Sequence, residues 1–132
     1  MSPLDGLQRA RAVVDGAADQ PPGRRYLSAH AAAQDVLAVV LATRSPRIRA
    51  LPGPVNGWQL LARVAPEYGE WAAYFAALQP KRQAVLAGAV NLVTEREADD
   101  LARDAMTFCD EVDRRVRRRL ASDQRLDGQG AG

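Results

Sequence analysis

Apolar residues recur every three or four positions along most of this chain, which is the spacing of a helix with one buried face. The spacing predicts a first helix after Ser2, which ends at the proline- and glycine-rich break 19–23. A second helix, rich in alanine and leucine, is predicted from Arg24 to about Thr43. No stretch shows the alternation that a half-buried strand requires, so the pattern predicts an all-α fold.

The middle of the chain carries most of the aromatic residues and both tryptophans, so it should supply the bulk of the core. A proline-rich stretch from Ser45 to Gly57 is predicted to be a long basic surface loop, at the end of which Asn56 can cap a third helix. Pro66 should interrupt that helix, and a second apolar stripe then ends near Pro80. A weaker helical turn follows and is predicted to stop at Gly88, a natural C-terminal cap.

A long final helix is predicted to begin at a capping box, in which Thr94 and Glu97 each satisfy an amide at the helix start. Regular inward spacing then continues to about Ala121, at the positions Ala98, Leu101, Ala105, Phe108, Val112, Val116 and Leu120. Residues 122–132 hold too little apolar surface to pack, which predicts a disordered C-terminal tail. The expected organisation is a single bundle domain of about five helices over 1–121, followed by that tail.

Length and composition restrict the class of protein further. The 132 residues suffice for one hydrophobic core without disulfides or metal, and 18 basic against 16 acidic residues leave a net charge of +2. Cys109 is the only cysteine and no Cys/His cluster exists, so neither an intramolecular disulfide nor a zinc site is expected. The N-terminus lacks a signal-peptide pattern, and the longest apolar run, Val36 to Ala42, is far below the roughly 20 residues of a membrane span. These features predict a cytoplasmic protein with no cofactor and no membrane partner.

Four segments of the chain resemble a small actinobacterial branch of the HEPN superfamily. They lie between Arg24 and about Val112, and they are Arg25–His30, Gly57–Glu67, Glu70–Ala77 and Thr94–Leu101. The resemblance implies an antiparallel helical bundle of HEPN type and a homodimer. HEPN relatives are often linked to RNA, as ribonucleases, as toxins or as non-catalytic modules beside nucleotidyltransferases.

Catalytic HEPN proteins carry an Arg-x4-6-His motif that works at a dimer interface without metal, and Arg25 and His30 match that spacing. In such chemistry the histidine takes the 2′-hydroxyl proton while a cation stabilises the charge on the phosphate. The superfamily usually places the motif near the start of its last long helix, where the segment 103–108 of this chain holds no histidine. Arg25 and His30 also point about 140° apart around one helix. The interpretation that we favour is therefore a buried, hydrogen-bonded His30 and a surface charge at Arg25.

Two further clusters lie on the final helix. Five arginines crowd one short stretch and are candidate contacts to RNA phosphates, because guanidinium groups bind phosphate bidentately; they are Arg114, Arg115, Arg117, Arg118 and Arg119. The interpretation that we favour for them is a solvated helix end, where cations offset the negative end of the dipole, and non-specific RNA contact is the functional alternative. Carboxylates near the helix start are interpreted as dipole and salt-bridge partners rather than as a metal site; they are Glu95, Glu97, Asp99, Asp100 and Asp104.

Three functions remain open from the sequence. The preferred one is a non-catalytic HEPN-like module that binds RNA or a protein partner as a homodimer. The second is a metal-independent, toxin-like endoribonuclease with His30 as the base and Arg25 as the phosphate stabiliser. The third is a structural interaction scaffold with no nucleic-acid role.

Overall fold

A computed structural model of the chain describes residues 2–44 and 56–130, and over these ranges it contains six α-helices, two 3-10 turns and no strand. The helices are α1 (Pro3–Gly16), α2 (Pro22–Thr43), α3 (Gly57–Val64), α4 (Gly69–Ala77), α5 (Gln79–Leu86) and α6 (Glu95–Gly130). The 3-10 turns are Pro66–Tyr68 and Val90–Leu92. The predicted all-α fold is confirmed. The predicted basic loop lies, up to residue 55, outside the described residues.

Side-chain caps fix where α3 and α6 begin. The Asn56 carboxamide oxygen accepts from the amide of Gln59 at 2.8 Å, and the Thr94 hydroxyl accepts from the amide of Glu97 at 3.1 Å. In both cases the third residue of the helix reaches back to the amide of the capping residue. Both predicted caps are confirmed, and each contributes about 1 kcal/mol to helix stability.

The central helix of the bundle is α2, which packs against both α1 and α6. Small side chains dominate its buried side and let the neighbouring helices approach closely; they include Ala29, Ala32 and Ala33. By length and composition alone, α2 is the one helix of the described ranges that could cross a membrane. In this structure its apolar residues form part of the hydrophobic core.

The two long helices α2 and α6 run in the same direction, whereas α1 forms an antiparallel hairpin with α2. At one end of the bundle, Arg25 in the first turn of α2 contacts Glu95 and Asp99 in the first turns of α6. At the other end, Thr43 of α2 and Val116 of α6 line the same cavity. The short helices α3, α4 and α5 return the chain to the first end, which makes the parallel pairing possible.

Aromatic rings from α3, α4 and α6 form the middle of the core, as the sequence predicts. Phe75 stacks on Trp58 with ring centroids 5.0 Å apart, and it lies 5.4 Å from Phe108. Both phenylalanines are completely buried. Burial of a side chain of this size contributes about 1.5–3 kcal/mol, so this cluster holds the short helices α3 and α4 against α6.

The predicted breaks near Pro80 and Gly88 are both confirmed. α4 ends before Pro80, which occupies the first turn of α5, where its missing amide costs no helical hydrogen bond. Gly88 follows α5 with a φ of +110°, a left-handed conformation that favours glycine. The start of α2 differs slightly from the prediction, because Pro22 rather than Arg24 is its first residue.

The final helix is longer than the sequence predicts. It runs for 36 residues to Gly130 and so includes most of the segment from residue 122 for which the sequence predicts a disordered tail. Residues 121–128 are all exposed, so this part of α6 extends beyond the packed core. A helix that has already formed gains one backbone hydrogen bond for each residue added, and it can therefore continue without packing. Leu120, predicted to face inward, is 38% exposed.

Candidate functional site

The side chain of Arg25 joins the start of α2 to the start of α6. Its two terminal nitrogens form ion pairs with Glu95 and Asp99, and its Nε donates a hydrogen bond to the carbonyl of Gln20 at 3.0 Å. The arginine side chain is only 12% exposed, whereas both carboxylates are largely exposed. Two carboxylates therefore already balance the charge of this guanidinium.

His30 lies on the buried side of α2 and has no exposed surface. The centroid of its ring is 5.7 Å from that of Tyr26 and 6.2 Å from that of Phe75. Neither imidazole nitrogen has a hydrogen-bond partner among the described residues, and the same holds for the Tyr26 hydroxyl. Burial lowers the pKa of His30 to about 4, and the positive charge of Arg82 contributes to the same shift. The imidazole is therefore neutral at physiological pH.

This geometry does not make a catalytic pair of Arg25 and His30. A general base must come within hydrogen-bond reach of the proton that it removes, and an imidazole with no exposed surface does not meet an RNA hydroxyl. The interpretation favoured from the sequence, that His30 is a buried structural residue, agrees with its position. Its expected hydrogen bond to a neighbour is absent from the part of the chain that the structure describes.

Carboxylates at the start of α6 have the capping and ion-pair roles that the sequence predicts. Glu97 completes the cap and also pairs with Lys81, while Asp104 accepts a hydrogen bond from the Tyr74 hydroxyl. Over residues 2–44 and 56–130, no group of three or more His, Cys, Asp or Glu side chains is placed to hold a metal ion.

The five clustered arginines at positions 114–119 of α6 divide between different faces of the helix. Arg114 is exposed, and Arg117 forms an ion pair with Asp113 at 2.7 Å. The other three, Arg115, Arg118 and Arg119, line a cavity of about 550 Å³ between the end of α2, the Pro66–Tyr68 turn and α6. Two other cavities have volumes of about 320 and 260 Å³, and one arginine lines each of them. We call the cavity of about 550 Å³ the arginine cavity, since Arg44, which directly follows α2, also contributes to its wall.

Two of the four arginines in this cavity are held in place by other groups. Arg44 pairs with Glu67 at 2.6 Å and donates to the carbonyl of Val64 at 3.0 Å. Arg115 pairs with Glu111 at 3.2 Å, and its guanidinium carbon lies 4.8 Å from the centre of the Tyr68 ring. Both side chains are thus fixed parts of the wall.

The same contacts act on the acidic residue in this wall. Partial burial by itself would raise the pKa of Glu67, but a backbone hydrogen bond and the Arg44 guanidinium outweigh it and lower that pKa. Glu67 is therefore ionised at physiological pH and keeps Arg44 oriented.

Arg118 and Arg119 differ from these two. Both are exposed, and neither forms an ion pair with any carboxylate of the described ranges. They are the two cations of the cavity that remain available to a ligand.

Comparison with known families decides the classification. The family model HEPN_SAV_6107, a HEPN-like domain, matches residues 16–113, which is most of the chain. The chain belongs to this HEPN family. No curated protein and no solved structure matches it significantly.

The family match and the arginine cavity overlap only in part. The HEPN match includes α2 to α5 and the first half of α6, and it ends at residue 113. Arg115, Arg118 and Arg119 lie just beyond that end, whereas Arg44 and Glu67 lie within it. The cavity therefore combines the HEPN bundle with a segment of α6 outside the family match.

Two residues of the cavity were not identified from the sequence of this HEPN domain. Arg44 follows the last residue of α2 and Glu67 lies in a one-turn 3-10 helix, and neither position carries a local motif. Their ion pair joins residues that are 23 positions apart. Only the packing of the end of α2 beside the Pro66–Tyr68 turn brings them together.

Proposed function

We propose that this HEPN domain is a non-catalytic cytoplasmic module that binds RNA through the arginine cavity. The observation that carries the proposal is the pair Arg118 and Arg119, which are exposed and have no carboxylate partner among the described residues. An unpaired guanidinium can contact a phosphate without first breaking an ion pair, and each such contact releases counterions from the nucleic acid. A ligand with several phosphate groups, such as RNA, is therefore the class of ligand that these two cations bind most favourably.

The environment of Arg25 and His30 supports the non-catalytic part of the proposal. An endoribonuclease built on these residues would have to expose His30 from an aromatic core and break both ion pairs of Arg25. We therefore expect no metal-independent cleavage of single-stranded RNA in EDTA. The assay compares the wild-type protein with His30→Ala and Arg25→Ala. Cleavage by the wild-type protein that both substitutions abolish would restore the endoribonuclease hypothesis.

RNA binding is tested with a single-stranded RNA of about ten nucleotides, followed by fluorescence anisotropy. The double substitution Arg118→Gln with Arg119→Gln should weaken binding by about tenfold, because it removes two phosphate contacts. It should also reduce the slope of log K against log salt by about 1.4, measured between about 50 and 200 mM salt.

A matched control for that experiment lies on the same helix. Arg114→Gln with Arg117→Gln removes the same charge but leaves the cavity unchanged, since neither residue lines it. We expect less than about a threefold loss of affinity from this pair, because only long-range attraction is reduced. Equal losses from both double variants would contradict a localised site, and the absence of any RNA binding at low salt would overturn the proposal.

One observation favours a second candidate function, which is association with a second copy of the chain. All seven residues from Leu86 to Leu92 are exposed and uncharged, and Leu86, Val90 and Leu92 are exposed by 54%, 51% and 51%. Apolar side chains that cluster on a surface in this way are typical of protein interfaces. We propose that this segment contributes to a homodimer.

The oligomeric state measured by light scattering tests the dimer proposal. Leu86→Gln with Leu92→Gln should shift the protein from dimer to monomer, because it makes the apolar segment polar. Leu126→Gln is the control, since Leu126 is 65% exposed on the projecting part of α6. A wild-type protein that is monomeric at all concentrations tested would exclude this function for the segment.

A further inference from the structure

The arginine cavity has an unusual balance of charge. Four arginines line it against two carboxylates, Glu67 and Asp123, which leaves an excess of two positive charges. Arg44 pairs with Glu67, and Arg115 pairs with Glu111, which does not line the cavity. When Glu111 is counted as well, the excess is one positive charge, and it lies at Arg118 and Arg119, which form no ion pair within the described ranges. An internal phosphate of an RNA strand carries one negative charge, whereas a terminal phosphate monoester carries about 1.5 to 2 near neutral pH. A monoester therefore gains more than a diester from two guanidinium groups that have no ion-pair partner among the described residues.

The shape of the cavity also differs from that of a surface that follows a strand. Its volume of about 550 Å³ lies within the range of small-molecule sites, which is enough for a single nucleotide. Apolar side chains form part of the wall, among them the partly buried Val116 and Leu120, which is 38% exposed. A concave site with an apolar wall and charged groups near it accommodates a base and sugar beside their phosphate.

The positions of Arg118 and Arg119 make convergence on one phosphate possible. The two residues are adjacent on α6, next to the turn that carries Arg115, and all three line the same cavity. Each guanidinium presents several donors in a fixed planar arrangement, and two of them can share the three terminal oxygens of a monoester. An internal phosphate offers only two unesterified oxygens, so it satisfies fewer of these donors.

We propose that the arginine cavity binds the terminal phosphate monoester of a nucleotide, with Arg118 and Arg119 as its main ligands. The source of that group is either the phosphorylated end of an RNA strand or a free mononucleotide. The inference rests on the proposed RNA-binding function, which it narrows from the phosphate backbone in general to a strand end.

The test compares RNAs of one sequence that differ only at their ends. One has hydroxyl groups at both ends, one carries a 5′-phosphate and one a 3′-phosphate, and each has the same internal fluorophore. We expect at least one of the two phosphorylated RNAs to bind about tenfold more tightly than the hydroxyl-ended RNA, as charge-assisted hydrogen bonds provide. Competition by adenosine monophosphate and by unphosphorylated adenosine then identifies whether the free nucleotide also enters the site.

Variants of the two main ligands assign the preference to the cavity. Arg118→Lys with Arg119→Lys keeps the charge but removes the planar donor pattern, so it should retain RNA binding and lose most of the preference for a phosphorylated end. Arg114→Lys with Arg117→Lys is the matched control and should keep the preference. Circular dichroism establishes that each variant is folded.

The outcomes separate this inference from the proposed function. If all three RNAs bind equally well, the inference is wrong while the RNA-binding function stands. If no RNA binds but adenosine monophosphate does, the cavity assignment stands and the RNA-binding function is wrong. A preference for phosphorylated ends that survives Arg118→Lys with Arg119→Lys would overturn the assignment to this cavity.

Discussion

The stability of this domain should depend on pH through one residue, His30, which is the only histidine in the chain. The perturbation is a decrease in pH, compared between the wild-type protein and His30→Leu. His30 has no exposed surface, and burial holds its pKa at about 4, well below the value of 6.5 for an exposed imidazole. Between those two values the unfolded chain binds a proton at this position that the folded chain does not.

The sign and size of the effect follow from those two values. Because the unfolded state binds more protons, the free energy of unfolding falls as the pH decreases from 6.5 towards 4. Each pH unit over that interval removes about 1.4 kcal/mol, so His30 should cost the wild-type protein about 2 kcal/mol at about pH 5. Leucine has no proton to bind, and the variant should lack this contribution.

Urea denaturation of the wild-type protein and of His30→Leu, each at about pH 7.5 and pH 5, measures how much the free energy of unfolding changes with pH. Several carboxylates, including Glu67, Glu97 and Asp113, have a lowered pKa and also reduce stability in acid. Their contribution is common to both proteins, so it cancels when the change in the variant is subtracted from the change in the wild type. The His30→Leu variant should in addition be at least as stable as the wild type at pH 7.5, because it removes a buried polar ring without hydrogen bonds.

The pKa of His30 can also be read without the variant. A single histidine gives one set of imidazole signals in an NMR titration, which therefore needs no assignment by mutagenesis. A titration midpoint near 6.5 in the folded protein would refute the reasoning, because it would mean that the imidazole reaches solvent. Equal acid sensitivity of the wild type and His30→Leu would refute it independently.

Three further predictions concern buried or constrained positions. Tyr26→Phe should leave the free energy of unfolding unchanged or raise it by about 1 kcal/mol, since the buried hydroxyl has no partner among the described residues; a clear loss in urea denaturation would contradict this. Gly88→Ala should lower that free energy by about 1–2 kcal/mol because φ is +110°, whereas Gly128→Ala on the exposed part of α6 should not, as melting curves would show. Cys109 is buried and burial raises the pKa of its thiol, so Ellman's reagent should modify it only at the rate of unfolding; rapid reaction with the folded protein would be inconsistent with that position.

The elements of the fold could be predicted because their determinants are local. The cap at Thr94 depends on a residue three positions later, and the stop at Gly88 depends on the backbone freedom of one glycine. The aromatic core was predictable for a related reason, since Trp58 and Phe75 lie on apolar stripes that can only be buried together. Helix lengths were less predictable. The apolar pattern does not predict the extension of α6 to Gly130, because that extension depends on the backbone hydrogen bond that an existing helix gains with each added residue.

The candidate site, unlike the elements of the fold, depends on contacts between residues that are distant in the chain. From the sequence, Arg25 and His30 share a spacing that suits catalysis, but the partners that decide their roles are distant in the chain: Arg25 meets Glu95 and Asp99, and His30 meets Phe75. The burial of His30 agrees with the interpretation favoured from the sequence. The neutralisation of Arg25 by Glu95 and Asp99 depends on packing between helices, and no spacing rule within α2 contains that information.

The sequence by itself thus determined where most helices begin and end and which side chains fill the core. Only the tertiary structure decided which of the arginines in α6 are available, since Arg118 shares its cavity with Arg44 and Glu67, which are distant from it in the sequence. The physical reason is the distance along the chain over which each determinant acts. Caps and helical periodicity act over a few residues, whereas the charge and shape of a cavity depend on where separate helices come together.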